Sequence, residues 1–113
     1  VWMSAIASAF VDNIPWTATM IPIIQNISMD ASFASAISSF THNPLWFALA
    51  IGADFGGNGT LVGSSAGLIA IAVAEKHGYP IFFRTFLVKG FPYMIATTLI
   101  ASMILYFRVL FLW

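Results

Sequence analysis

Apolar runs that are too short to cross a bilayer, separated by polar interruptions, form the main pattern of this chain. Residues 44–51 and 61–74 are two such runs, whereas a membrane-spanning helix requires about 20 residues. The glycine-rich segment 56–60 separates them, and Asp54 lies just before it. Residues 43–77 are therefore predicted to form one membrane helix, broken near its middle, where irregular backbone lines an internal cavity.

A second interruption divides the first 24 residues into two apolar arms. Asp12 and Asn13 lie between the arms, and each arm covers roughly 15 Å as a helix, about half of a bilayer. We therefore predict a re-entrant hairpin over residues 1–24, with Asp12 and Asn13 at its tip inside the membrane. The alternative is an extramembrane turn in which Asp12 only caps the following helix, a position that suits aspartate.

The remaining segments predict a connection, an interfacial helix and a final span. Residues 25–41 are rich in serine, alanine and asparagine and read as a connection containing a short helix. Residues 80–90 place phenylalanines at helical spacing opposite basic residues, which predicts a helix lying flat at the membrane surface. Residues 91–113 are predicted to be the last transmembrane helix, with Trp113 at the interface.

Three of the four basic residues determine the predicted orientation. Lys76, Arg84 and Lys89 precede the final span, and cytoplasmic loops carry an excess of lysine and arginine. We therefore expect the connection 75–90 to be cytoplasmic and the C-terminus to be extracytoplasmic.

Composition supports an integral, multi-pass membrane protein. Of 113 residues, 60% are hydrophobic and only 7% are charged, with a mean hydropathy of +0.93, whereas soluble domains carry about 25% charged residues. The formal net charge is zero and basic clusters are lacking, which excludes nucleic acid as a partner. Because the chain opens in mid-apolar sequence without a methionine, we expect it to be a fragment whose partners are the bilayer and the rest of its own chain.

The predicted break in residues 43–77 combines oxygen ligands with a negative charge. Its two half-helices leave carbonyls and N–H groups unpaired at the gap, and Asp54 favours a cation there. Asn58 and Thr60 add oxygen atoms that suit sodium, and Asn13 adds another from the hairpin tip. Asp12 and Asp54 are expected to exchange protons for the ion, since an isolated carboxylate inside a membrane must be neutralised or bound. The alternative is a loop between two interfacial helices, with Asp54 in water.

Small residues recur every fourth position after the break. Gly59, Gly63 and Gly67 are predicted to form a face that packs against another membrane helix, and Ser64 and Ser65 can add contacts to a substrate. The complete set of predicted ion- or substrate-binding residues is Asp12, Asn13, Thr17, Asp54, Asn58, Gly59, Thr60, Ser64 and Ser65.

Two other kinds of chemistry find little support. Residues 63–67 fit G-x-S-x-G, followed by Glu75 and His77 in the chain order of a hydrolase triad, but a nucleophile elbow requires a preceding strand, which the apolar pattern does not predict. His42 and His77 lack further ligands at metal-binding spacing, and the chain has no cysteine. We therefore expect neither an enzyme nor a resident metal, and no cofactor apart from a transported or coupling sodium ion.

Two motifs in the right order resemble the C-terminal part of ArsB/NhaD-type transporters, which have a citrate-transporter-like domain within the ion transporter superfamily. The first is Phe-Val-Asp-Asn-Ile-Pro-Trp-Thr-Ala-Thr-Met-Ile-Pro at residues 10–22, and the second is Gly-Gly-Asn-Gly-Thr-Leu-Val-Gly-Ser-Ser-Ala at residues 56–66. Within that group the chain is most similar to relatives of the melanosomal P protein. The resemblance covers nearly the whole chain.

This resemblance implies an all-α secondary transporter built from two inverted repeats, of which the chain would be most of the second. It also implies a homodimer. Dicarboxylate-carrying relatives have Ser-Asn-Thr at the hairpin tip, where this chain has Asp12, Asn13 and Ile14. An acidic tip repels a carboxylate substrate, which favours cation–proton exchange. Gly67 departs from the family pattern because relatives usually have an asparagine there.

The sequence therefore predicts a secondary transporter that exchanges sodium or another small cation for protons. The rival within transport is a carrier of anions or organic acids, such as arsenite or citrate, held at the half-helix N-termini near Asn13 and Thr60. A rival of another class is a small membrane scaffold without transport activity.

Overall fold

The computed structural model describes residues 1–112, and its regular elements are all helical, as the sequence predicts. The elements are α1 (Trp2–Phe10), α2 (Asn13–Met29), α3 (Ala31–Ile37), α4 (Pro44–Gly56), a 3-10 turn (Leu61–Gly63), α5 (Ser65–Lys76) and α6 (Phe83–Phe111). Trp113, which the sequence places at the membrane interface, lies outside the described residues.

Side-chain caps set the starts of three helices. The Asp12 carboxylate accepts the Ile14 N–H at 3.1 Å before α2, and the Asn43 side-chain oxygen accepts the Leu45 N–H at 3.0 Å before α4. Asp30 begins α3, and hydrogen bonds from the side chain and backbone of Ser32 lower the pKa of its carboxyl group. These residues satisfy N–H groups that a helix start otherwise leaves unpaired.

Helix α2 is longer than the predicted second arm of the hairpin. The hairpin was expected to end at residue 24, but α2 continues to Met29 and has 17 residues with Pro22 inside it. Proline removes one backbone donor from a helix interior, yet α2 continues past Pro22, and Ile24, two residues later, is buried. At about 1.5 Å per residue, α2 extends over roughly 25 Å, so this arm is longer than half the thickness of the bilayer core.

Helices α1 and α4 form the core through small residues. A Cβ built on Gly56 would lie 2.3 Å from the Ala5 carbonyl oxygen, and one built on Gly52 would lie 2.6 Å from the Ser4 Cβ. The Ser8 hydroxyl donates to the Ala53 carbonyl at 2.7 Å across this contact. Close approach of the two backbones, as in small-residue packing of membrane helices, thus replaces large apolar side chains.

The prediction of a separate interfacial helix over residues 80–90 is wrong, because a single helix covers most of residues 80–113, where two were predicted. Helix α6 runs without interruption for 29 residues from Phe83, with Pro92 inside it. Gly90 abuts the Asn58 carbonyl oxygen, 2.7 Å from where a Cβ would be, and Met94 is buried one turn later. Packing on both sides of Pro92 keeps the helix continuous despite the lost hydrogen bond.

Within residues 1–112, α6 alone is long and apolar enough to cross a membrane by length and composition, while α4 is a shorter apolar helix. Helix α5 buries none of its residues against the rest of the described chain. Its apolar side chains, such as Leu68, Ile69 and Val73, are exposed.

The predicted glycine face is close-packed at two of its three positions. A Cβ on Gly59 would lie 2.6 Å from the Met94 sulfur of α6, and one on Gly63 would lie 2.9 Å from the Ser8 carbonyl oxygen of α1. Beside Gly67 the nearest atom is the Ser64 Cβ at 3.7 Å, an ordinary contact. Gly67 therefore belongs to the exposed helix α5 and lies outside the close-packed face.

Candidate functional site

The carboxylate of Asp12 joins the two interruptions of the chain. One carboxylate oxygen accepts the Ile14 N–H at the start of α2, and the other accepts the Ser65 N–H at 2.8 Å and the Ser65 hydroxyl at the start of α5. Ser64 supplies a further cap, since its hydroxyl oxygen accepts the Gly67 N–H at 3.4 Å. A single negative charge thus lies at the N-termini of two helices, where the helix dipoles favour it.

Thr60 fixes the break to α1. Its side chain is 1% exposed, and its hydroxyl donates to the carbonyl of Ala9 in the last turn of α1. The start of the 3-10 turn is thereby held against the end of α1. Thr60 is therefore engaged in packing, and its hydroxyl hydrogen is committed to Ala9.

A groove of about 700 Å³ lies between α2 and α4, beside the Asp12 joint. Its polar lining comes from Asn13 and Thr17, one turn apart on α2, and from Asp54 in the last turn of α4. Apolar side chains, including Ile14, Ile21 and Ile51, form the rest of the lining. One carboxylate, one amide and one hydroxyl, surrounded by apolar walls, are a ligand set that suits a small hard cation.

The nine predicted residues divide into several locations, in contrast to the predicted single site. Asn13, Thr17 and Asp54 line the groove, and Asp12, Ser64 and Ser65 form the joint next to it. Gly59 and Thr60 are packed against α1 and α6, and Asn58 lines a second cavity on the side of α6. Asn58 lies after the end of α4, where no helical periodicity predicts which cavity a side chain lines.

The hydrolase interpretation of residues 63–67 finds no matching geometry. Ser65 begins α5 and His77 follows its end, a separation of roughly 18 Å at 1.5 Å per residue. A ring nitrogen of His77 is engaged with the Val73 carbonyl at 2.8 Å, while the Ser65 hydroxyl donates to Asp12. Within residues 1–112, no cluster of three or more His, Cys, Asp or Glu side chains that could hold a metal is present.

A chain of hydrogen bonds that supports the groove was not predicted. The indole N–H of Trp16 donates to the Ser4 hydroxyl at 2.9 Å, and that hydroxyl donates to the Leu49 carbonyl at 3.2 Å. Through Ser4 of α1, these bonds link α2 and α4, the two helices that line the groove. The available signal was the repeat of small residues at positions 4, 5, 8 and 9 in the first arm, since four-residue spacing marks a packing face.

The small-residue contacts between helices and the long apolar helix α6 are typical of a membrane protein. Comparison with known proteins agrees with this assignment. The chain is 39% identical over 108 residues to a 46 kDa membrane protein of Mycobacterium leprae, covering 96% of this chain and 24% of that protein. It is 34% identical over 112 residues to an uncharacterized transporter of Synechocystis, covering 91% of this chain and 25% of that protein.

A third similarity is to the mammalian P protein. The identity to P protein of Sus scrofa is 48% over 100 residues, which covers 88% of this chain and 11% of that protein. The chain thus spans about a tenth of the length of this relative and about a quarter of the bacterial ones. No family model and no solved structure matches the chain. The similarities, with the apolar helix α6, support a membrane protein related to transporters.

Proposed function

We propose that this chain forms the ion-binding part of a secondary active transporter that exchanges sodium or another small cation for protons. Asp54 binds the cation or a proton, and Asn13 and Thr17 supply neutral oxygen ligands. Asp12 holds the two broken elements together and adds negative charge beside the groove. The similarity to proteins named as transporters supports transport, and the groove residues support the choice of a cation.

The observation that carries this proposal is the position of Asp54. Its carboxylate lines the groove at the C-terminal end of α4, where the helix dipole adds partial negative charge. Asp54 is exposed on the surface formed by residues 1–112. Where such a carboxylate faces the interior of a membrane, it requires either a proton or a cation. Competition between the two for one carboxylate is the basis of proton-coupled cation exchange.

The anion-carrier alternative is less well supported because the helix N-termini are already in use. The N-termini of α2 and α5 are the sites that would attract an anion. The Asp12 carboxylate accepts hydrogen bonds from both of them. A second anion there would meet a fixed negative charge.

In the proposed arrangement, the connection 75–90 faces the cytoplasm and the rest of a longer chain supplies a first, inverted repeat. The basic residues Lys76, Arg84 and Lys89 support this orientation. The length of the relatives leaves room for a first repeat. A homodimer, the bilayer and the remainder of the transporter are the proposed partners.

Proton flux in everted vesicles containing the full-length protein tests the proposal. Addition of sodium or another small cation is expected to release protons from wild-type vesicles, and Asp54→Asn is expected to abolish this flux because the amide cannot exchange a proton. Glu75→Gln is the matched control, since Glu75 lies on the exposed helix α5 away from the groove. Unchanged cation-dependent flux in Asp54→Asn would overturn the proposal, and uptake that requires an anion would replace it with the anion carrier.

A further inference from the structure

Two serines of α1 hold α4 in register through a pair of matching hydrogen bonds. The Ser4 hydroxyl donates to the Leu49 carbonyl at 3.2 Å, and the Ser8 hydroxyl donates to the Ala53 carbonyl at 2.7 Å. Because both pairs are separated by 45 positions in sequence, the two bonds lie about one turn apart on both helices. Both serines are buried, so a slide of α4 along α1 breaks the two bonds together.

Trp16 connects α2 to this pair of bonds at Ser4. Its indole N–H donates to the Ser4 hydroxyl oxygen at 2.9 Å. Within residues 1–112, the next side-chain hydrogen bond from α2 toward α4 is at Ser28, which accepts from the Asn43 amide at 2.9 Å, roughly 18 Å further along α2. The Trp16 bond therefore fixes the end of α2 that lines the groove.

The hydrogen-bonded residues lie next to the groove ligands in sequence. Thr17 follows Trp16 on α2, Asp54 follows Ala53 on α4, and both Thr17 and Asp54 line the groove. The bonds thus hold the backbone beside each ligand and determine how far the Thr17 hydroxyl lies from the Asp54 carboxylate. Ligands of a binding site have to be held within about 0.5 Å of their productive positions, and residues behind the ligands supply that support.

We propose that Trp16, through Ser4, is a positioning residue that sets the spacing of the groove ligands and so determines which cation is bound. This inference rests on the proposed exchange at Asp54. Trp16 and Ser4 lie outside the lining contributed by residues 1–112, and they act through the ligands. Cavity size and ligand flexibility decide selectivity between ions, so loss of the indole donor lets α2 move relative to α4 and admits the larger potassium ion.

Cation-dependent proton release from proteoliposomes that contain the full-length protein tests this inference, with sodium and potassium as probes. Wild-type protein is expected to prefer sodium. Trp16→Phe is expected to raise the half-saturating sodium concentration by roughly 10-fold and to reduce the preference for sodium, with little change in the maximal rate. Trp46→Phe is the matched control, since Trp46 lies in the first turn of α4 and outside the groove lining, and it is expected to keep both wild-type values.

Ser4→Ala and Ser8→Ala separate positioning from stability. Each variant loses one hydrogen bond to α4, but only Ser4→Ala also releases Trp16. Both are expected to lower the thermal midpoint, and only Ser4→Ala is expected to reduce the preference for sodium. An equal change of preference in Ser8→Ala, or the wild-type preference in Ser4→Ala, would overturn the inference.

The same assay distinguishes failure of this inference from failure of the proposed exchange. A lower maximal rate for Trp16→Phe, with the half-saturating sodium concentration and the ion preference unchanged, would assign Trp16 a structural role only; it would overturn the inference and leave the exchange intact. The same holds for a wild type that does not distinguish sodium from potassium. A wild type that releases no protons with either ion would overturn both proposals.

Discussion

The Asp12 carboxylate accepts a hydrogen bond of 2.8 Å from the backbone N–H of Ser65, although 53 positions separate the two residues in sequence. The bond connects the interruption between α1 and α2 with the interruption between α4 and α5. Because the same carboxylate also caps α2, movement of α5 relative to α2 must break at least one charge-assisted hydrogen bond. The joint therefore couples α2 and α5, which begin at the two separate interruptions of the chain.

A double-mutant cycle on Asp12 and Ser65 tests this coupling. Asp12→Ala is expected to lower the free energy of unfolding by about 1–2 kcal/mol, because two helix starts lose their acceptor. Ser65→Ala removes only the hydroxyl donor and is expected to cost about 1 kcal/mol. The double variant is expected to lose less than the sum, since the hydroxyl bond can be lost only once.

The cycle is measured by denaturant unfolding of the full-length protein in detergent. Asp54→Asn, measured in the same unfolding assay and for cation-dependent flux, separates stability from transport, because this variant is expected to lose flux while keeping the wild-type stability. Strictly additive losses for Asp12 and Ser65 would show that the joint does not couple the two breaks.

Substitution of two glycines by alanine is expected to have opposite effects. A Cβ at Gly56 would lie 2.3 Å from the Ala5 carbonyl oxygen, and the backbone of α1 would have to move; overpacking of this kind costs about 1–3 kcal/mol. Gly67→Ala is the matched control, since the nearest atom is 3.7 Å away and alanine in a helix is favoured over glycine by roughly 0.5–1 kcal/mol.

Thermal midpoints of the two variants in the full-length protein give the comparison. Gly56→Ala is expected to unfold at a lower temperature than the wild type, and Gly67→Ala at the same or a higher temperature. Equal stability of Gly56→Ala and the wild type would contradict the close contact between α1 and α4.

Trp16→Phe tests the hydrogen-bond chain that supports the groove. Phenylalanine keeps most of the ring but cannot donate to the Ser4 hydroxyl, so a loss of about 0.5–1.5 kcal/mol in the free energy of unfolding is expected. The Ser4 hydroxyl still donates to Leu49 in this variant. Ser4→Ala is therefore expected to cost at least as much in the same assay, because it removes both bonds; a smaller loss for Ser4→Ala would contradict the chain.

Local chemistry made some features of the fold predictable. Asp12 and Asn43 are residue types that cap helices, and both accept a backbone N–H two residues later. The glycines and polar residues near position 57 indicated a break, because such residues are unfavourable inside an uninterrupted apolar helix. These signals act over a few residues and do not depend on distant parts of the chain.

The features that were predicted wrongly depend on packing between distant segments. Residues 24 and 90 were predicted to end helical segments, but α2 and α6 continue through them, and Ile24 and Met94 are buried against the rest of the chain. The direction of Asn58 was also missed, since side chains in irregular backbone follow no period. Helical spacing placed Asn13 and Thr17 on one face of α2, whereas the position of Asp54 opposite them follows from the packing of α4.

Thr98 on α6 tests whether a polar group buried by this packing has a hydrogen-bond partner. Its side chain is fully buried, and its hydroxyl has no hydrogen-bond partner within residues 1–112. A buried polar group without a partner costs about 1–3 kcal/mol, and valine has nearly the same shape without the hydroxyl. Thr98→Val is therefore expected to raise the thermal midpoint of the full-length protein, whereas Thr98→Ser, which keeps the hydroxyl and loses the methyl group, is expected to lower it. A lower midpoint for Thr98→Val would mean that the hydroxyl has a partner in the rest of the longer chain or in a bound water molecule. The sign of the shift in the midpoint therefore distinguishes an unpaired hydroxyl from a paired one.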